Sequence, residues 1–234
     1  MQTTVQTTAD ITKSKYFLYI AILFVSVLLI SNTVAVKLIA IGPFILAGAV
    51  FIFPISYIFG DVLTEVYGYK STQKVIYAGF VMLILMTCCY AMVQYLPAAP
   101  FWAGNQAAYE TILGTAPRLV LASIVAFFFG EFCNSFVISK LKVLTSGKRL
   151  WQRTISSTAV GQLVDTTIFT VIAFAGTVPT VTLLIVAGSG YLFKVSYEIL
   201  ATPLTYIIVN KIKRAEGIDV YDTGVDYNMF KLRD

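Results

Sequence analysis

The sequence predicts an all-α integral membrane protein of six transmembrane helices with both termini in the cytoplasm. Three observations carry this. Of 234 residues, 58% are hydrophobic and only 12% are charged, with a mean hydropathy of +0.80, whereas a soluble domain is about 45–50% apolar and about 25% charged. Six apolar runs approach or exceed the about 20 residues a helix needs to cross a bilayer. Lys and Arg then fall on alternate connections, as the positive-inside rule requires.

The spans are expected at 16–36, 43–66, 74–96, 117–139, 154–175 and 182–209. They form one transporter domain, 16–210, between a polar, Thr-rich tail at 1–15 and a C-terminal tail at 211–234. Lys13 and Lys15 precede an apolar run too long for a signal-peptide core, so it reads as an uncleaved first span. The second run carries Pro54 at its middle and Gly60 before Asp61; Pro203 is expected to kink the sixth.

Orientation follows from the basic residues. Lys13, Lys15, Lys70, Lys74, Lys140, Lys142, Lys148, Arg149 and Arg153 lie on the inner side, together with Lys211, Lys213, Arg214, Lys231 and Arg233. The outer connections hold only Lys37 and Arg118. This bias explains the net charge of +5 without a nucleic-acid partner. The outer connection at 97–116, with Phe101, Trp102 and Tyr109, reads either as a lid or as an aromatic belt at the interface.

Function is expected from polar residues inside the spans. Asp61 with Glu65, Glu131 with Asn134, Gln162 with Asp165, and Lys194 with Glu198 are each three or four residues apart, hence on one helix face. A charge at mid-bilayer costs at least roughly 2.5–3.5 kcal/mol. Asp165 and Lys194 fall near the midplane, with Glu131 and Glu198 to the cytoplasmic side. Gln162, Asn134, Tyr191 and Asn32 are expected around the same polar solute site. Lys194 and Glu198 could neutralise each other as an i,i+4 pair, which leaves Glu131 and Asp165 unmatched.

For Asp61 and Glu65, a solvated helix end with Lys70 or Lys74 as partners competes with an inner gate. Asn32 reads alternatively as interhelical glue, and Arg118 as snorkelling to the interface. A thin internal echo (Asn32 and Lys37-Leu38 against Asn134 and Lys140-Leu141) hints at inverted repeats, a common transporter plan.

Several classes are excluded. The chain has no histidine, so Ser-His and Cys-His catalysis, HExxH zinc sites and histidine proton relays are absent. Cys88, Cys89 and Cys133 lie in apolar runs without metal or disulfide spacing. No nucleotide-binding loop is present. No enzyme activity, cofactor or metal is expected, and an aspartyl dyad is disfavoured because Asp61 and Asp165 fall at different depths.

The stretch Phe53-Pro54, with Gly60-Asp61-Val62-Leu63-Thr64-Glu65-Val66-Tyr67-Gly68, resembles the signature of the queuosine precursor transporter family, also called vitamin uptake transporters. Further resembling blocks are Ser31-Asn32, Arg118 with Ala122-Ser123, Gly130-Glu131-Phe132 and Lys148-Arg149-Leu150-Trp151-Gln152-Arg153. Ser156-Ser157-Thr158, Gly161-Gln162-Leu163-Val164-Asp165-Thr166, and Lys194 through Tyr197-Glu198 to Thr202-Pro203 complete the set, which covers about residues 20–210. Glu131 departs from the pattern, where Gly-Gln is expected.

The resemblance implies multi-pass residence in the inner (plasma) membrane and import of 7-deazaguanine bases for tRNA modification. These are the cyano and aminomethyl precursors of queuosine (preQ0 and preQ1), or queuine. Asp165, Glu198 or Glu131 would accept the guanine-like N–H edge, and Lys194, Gln162 or Asn134 would donate to the ring carbonyl. Phe127, Phe169 or Tyr191 would stack on the ring. The alternatives are a substrate-binding subunit of an energy-coupling-factor vitamin transporter, whose fold this chain would share, or a carrier of another purine-like or vitamin solute. Span one, reading Ala21-Ile22-Leu23-Phe24-Val25, lacks the A-x-x-x-A docking face of such subunits. Homo-oligomerisation stays open.

Overall fold

In the computed structural model, residues 14–41, 44–114, 117–176 and 179–231 are described. Helix α1 (Phe17–Val34) leads into a hairpin of β1 (Leu38–Ile41) and β2 (Phe44–Ala47), antiparallel with Leu38 opposite Ala47. A 3₁₀ turn (Gly48–Phe51) then opens α2 (Phe53–Tyr67), followed by α3 (Tyr69–Gln94) and the short α4 (Gln106–Leu113). Three long helices complete the chain: α5 (Pro117–Leu144), α6 (Leu150–Phe174) and α7 (Thr180–Glu216).

Among the described residues, five helices are long and apolar enough to span a membrane: Phe17–Val34, Tyr69–Gln94, Val120–Leu144, Leu150–Phe174 and Leu183–Glu216. The expected second span, 43–66, is corrected. Its first part is strand and 3₁₀ turn, and only α2 is helical. Fifteen residues of helix reach about 22 Å, short of the about 30 Å hydrocarbon layer. Pro54 explains the break. It sits in the first turn of α2, where its missing N–H costs nothing, whereas a helix running through 43–66 would place it inside and lose a hydrogen bond.

The junction between α2 and α3 is also tighter than expected. The third helix starts at Tyr69 rather than 74, so Gly68 alone separates the two helices. Gly68 has φ +81° and ψ 169°, a region that is essentially glycine-only. A Cβ there would stand 2.8 Å from both Asp222 Oδ1 and Val220 Cγ1.

The surface is apolar, and the interior combines an apolar core with buried polar side chains. Leu18, Tyr19 and Ile22 on α1, Val81 and Leu85 on α3, and Leu184, Leu192 and Leu200 on α7 are exposed, as a lipid-facing ring requires. The interior holds Asp61, Glu65, Glu131, Asn134, Gln162, Asp165 and Glu198, all buried. Helix α5 is the most buried of the five long helices and lies along α6, which packs on α7.

The start of α1 and the end of α7 meet. Ser14 Oγ donates to Glu216 at 2.7 Å, the Tyr16 amide donates to Glu216 Oε1 at 2.6 Å, and the Tyr67 hydroxyl at the end of α2 donates to Glu216 Oε2 at 2.7 Å. The segment after α7 folds back over this same end. The Val220 amide donates to Val66 O, Asp222 Oδ2 accepts from the Tyr69 amide at 2.9 Å and from Ser139 at 2.5 Å, and Lys70 Nζ donates to Lys231 O at 2.6 Å. The C-terminal stretch through residue 231 is therefore a docked strap.

Gly68→Ala is expected to destabilise the protein by about 1–3 kcal/mol. It should also raise protease cleavage within 218–231, followed in detergent by thermal unfolding and limited proteolysis. An unchanged cleavage pattern would contradict the strap's dependence on this glycine.

Candidate functional site

Close approach of helices builds the site. A Cβ on Gly130 would lie 2.7 Å from Asp165 Cβ, 2.9 Å from the Tyr57 hydroxyl and 3.1 Å from Gly161 O. A Cβ on Gly161 would lie 2.9 Å from Gly130 O and from Asn134 Cβ. Helices α5 and α6 therefore touch backbone to backbone, the close packing that small residues permit in membranes. Gly60 plays the same part on α2, since its Cβ would stand 2.0 Å from Glu131 Oε1. Each of these glycines precedes a buried polar residue, Asp61, Glu131 or Gln162.

Two polar layers result. In the first, Lys194 on α7 reaches across to Asp165 on α6, with Nζ 2.7 Å from Oδ2. The expected alternative pairing of Lys194 with Glu198 is thereby corrected: the cross-helix carboxylate is met instead of the one a turn along. Lys194 Nζ also lies 4.8 Å from the centroid of the Phe53 ring, a cation–π contact. Asp165 and Lys194 line a cavity of about 290 Å³ together with Asn32, Ser123, Phe53 and Phe169. On α7 that cavity is lined by Gly190 and Lys194, with Tyr191 half-buried beside them and outside the lining. Phe127 is packed in the apolar core, its ring 6.2 Å from that of Phe24.

Behind the cavity lie Asp61, Glu131, Asn134, Gln162 and Glu198, none of which lines it. Asn134 Nδ2 donates to Asp61 Oδ1 at 2.7 Å. Among the described residues, no hydrogen bond reaches either carboxyl oxygen of Glu131 or Glu198, nor Asp61 Oδ2, Asn134 Oδ1, Gln162 Oε1 or the Tyr57 hydroxyl.

The second layer surrounds Glu65, one turn beyond Asp61. Arg153 grips it with both nitrogens, Nη2 to Oε1 at 2.7 Å and Nε to Oε2 at 3.1 Å. Lys213 Nζ donates to Oε1 at 2.7 Å, and Lys142 Nζ stands 3.8 Å away. Lys142 also donates to Asp219 at 2.6 Å and to Val220 O at 2.5 Å, tying the strap to this cluster. Burial pushes the Asp219 carboxyl up, but Lys142 and Lys213 outweigh it and hold it below its ordinary range. The reading of Asp61 and Glu65 as a solvated end paired with Lys70 or Lys74 is therefore corrected. Both are buried, and Glu65 draws its partners from α5, α6 and α7.

The end that carries α4 has its own geometry. Ser123 Oγ donates to Asn32 Oδ1 at 3.0 Å, joining α5 to α1. This pair lines both the Asp165 cavity and a second cavity of about 340 Å³, bounded by Tyr90, Gln94 and Leu113. Tyr109 donates to Tyr90 O, so α4 is tied to the end of α3 beside that opening. Arg118, expected to snorkel, instead caps α6, with Nε to Ile172 O at 2.5 Å and Nη2 to Ala175 O at 2.6 Å. Residues 115–116 of the expected lid lie outside the described residues.

Sequence reasoning did not single out Phe53 as part of the cavity, nor Arg153, Lys142 and Lys213 as partners of Glu65. The one available signal for Phe53 was its place beside Pro54 at a helix start. The cations read as loop charges because positive-inside counting absorbs them.

Glu65→Gln is expected to lower stability by roughly 3–5 kcal/mol, since it leaves Arg153, Lys142 and Lys213 facing one another in a buried layer. Unfolding in detergent measures this, and a loss below about 1 kcal/mol would contradict the pairing.

Residues 47–208 match the model of the family described as "Putative vitamin uptake transporter". The chain is 36% identical over 158 residues to a "Probable queuosine precursor transporter" of Bacillus subtilis (strain 168), covering 67% of this chain and 68% of that protein. No solved structure matches the chain. With a matched region that holds the glycine contacts, the Asp165–Lys194 pair and Glu65 with Arg153, the chain belongs to the vitamin uptake transporter family.

Proposed function

We propose that this multi-pass membrane transporter imports queuosine precursors, 7-deazaguanine bases salvaged for tRNA modification, across the inner (plasma) membrane. The carrying observation is the Asp165–Lys194 pair in the wall of an aromatic-flanked cavity, in a chain similar to a protein named for that substrate. A 7-deazaguanine presents adjacent N–H donors and a ring carbonyl. The Asp165 carboxylate accepts the donors, Lys194 serves the carbonyl, and Phe169 or Phe53 covers the ring face. A cavity near 290 Å³ lies at the small end of the range for ligand sites, in keeping with a single base. Asn32 and Ser123 form the partition towards the outer cavity, through which the base enters. The Glu65 cluster with the strap closes the inner side.

Six passes and cytoplasmic termini belong to the same reading. The start of α1, the end of α2 and the end of α7 share one end of the molecule through Glu216. That end also carries the basic residues. The hairpin and α2 together make the second pass, the hairpin supplying the reach that α2 lacks. The chain acts as a carrier and catalyses no reaction.

The test uses cells lacking both precursor synthesis and their native importer, fed low concentrations of each 7-deazaguanine, with queuosine measured in tRNA. The wild type is expected to restore queuosine. Asp165→Asn is expected to need about 10–100-fold more base, reflecting the roughly 1.5–3 kcal/mol of a charged hydrogen bond. Restoration by Asp165→Asn at wild-type concentrations would refute the site.

A further inference from the structure

The carboxyls of this protein meet two different fates. Glu65 has three cationic side chains around it, with nitrogens of Arg153 and Lys213 at 2.7 Å and of Lys142 at 3.8 Å. Among the described residues, Glu131 and Glu198, equally buried, have no ion-pair partner, and Lys194, the cation of the Asp165 layer, is held by Asp165. An ionised carboxylate in such a place would stand desolvated and uncompensated, and such groups neutralise instead.

Three features identify what neutralises them. The first is a set of buried acceptors without a donor: Asp61 Oδ2, Asn134 Oδ1, Gln162 Oε1 and both oxygens of Glu131 and Glu198 have no hydrogen-bond partner among the described residues, and neither do the hydroxyls of Tyr57, Ser135 and Thr158. Each of these side chains is at most 1% exposed. The second is a shortage of space. Glu131 Oε1 lies where a methyl group on Gly60 would have to stand, and neither Glu131 nor Glu198 lines the Asp165 cavity or the outer one. The third is connection to the solute site. Asp165, whose carboxylate lines the cavity, acts electrostatically on Glu131 from the facing helix, as does Glu198. Lys194 is one turn from Glu198 on α7.

We infer that Asp61, Glu131 and Glu198 form a proton-binding site behind the solute cavity, and that import requires a proton taken up there. The inference rests on the carrier reading above. The titratable and charged groups acting on this cluster are Tyr57 and Glu65 from α2, and Asp165 from α6 with its Lys194 from α7. These carboxyls are buried together in this structure, so this form is reached by a carrier that has taken up a proton. Asp165, which lines the cavity and acts on Glu131, links that proton to the base. Asn134 and Gln162 offer carbonyl oxygens to accept the hydrogen of a protonated carboxyl.

Two measurements on the purified full chain test this. Infrared spectroscopy at neutral pH should show the carbonyl stretch of protonated carboxylic acid, weakened in Glu131→Gln and in Glu198→Gln. In proteoliposomes, an acid-outside gradient of one pH unit should raise steady-state accumulation of a labelled 7-deazaguanine by up to about tenfold for one proton per base. A protonophore should abolish that gain, and both variants should lose it. Absence of the infrared band overturns the proposal. So does accumulation indifferent to the gradient while counterflow shows that the wild type carries the base. A band that responds to the substitutions in a protein without counterflow would uphold the proton site and overturn the substrate assignment instead.

Discussion

The backbone contact between α5 and α6 at Gly130 and Gly161 is the constraint on which the interior depends. A Cβ at either position would strike the facing carbonyl or the neighbouring Asp165 and Asn134 side chains. At that separation Asn134 reaches Asp61 and Asp165 presents its carboxylate to the third helix of the group. Any spreading of this pair would admit lipid or water to a polar cluster that is closed to both. Small residues serve here because lipid supplies no hydrophobic drive between helices, leaving packing and hydrogen bonds to hold them.

From that contact the molecule divides by depth. Towards the end closed by the strap, Glu65 gathers Arg153, Lys142 and Lys213, and the strap after α7 adds Asp219. This layer is electrostatically matched and mechanically tied, since it joins α2, α5, α6, α7 and the strap. Midway, matching fails on purpose: one Lys serves one Asp, and the remaining carboxyls are left without cations. A rigid closed end beside an unsatisfied centre is the arrangement a carrier needs. The centre can change its occupant without unfolding the end.

Much of this was legible in the sequence, because hydrocarbon forbids casual polarity. The five long helices lie within a few residues of their expected limits or extend beyond them towards the Glu65 layer. That Asp165, Lys194, Glu131 and Glu198 lie on long apolar helices followed from counting along apolar runs. The region 38–51 was not legible as strand and turn, since a short apolar run has no period that separates strand from helix. Nor were the pairings. Arg153 lies 88 residues from Glu65 and Lys213 lies 148 away, so no local spacing joins them. Lys194 shows the same limit, for an i,i+4 neighbour competes on paper with a partner 29 residues distant, and only tertiary packing decides.

The central claim is that the Asp165–Lys194 pair is where a 7-deazaguanine is held. Calorimetric titration of such a base into purified, detergent-solubilised protein tests it most directly. Saturable binding by the wild type, weakened at least about tenfold by Lys194→Ala in a folded variant, is the predicted result. Equal affinity in Lys194→Ala, or no binding by folded wild-type protein, would contradict the account.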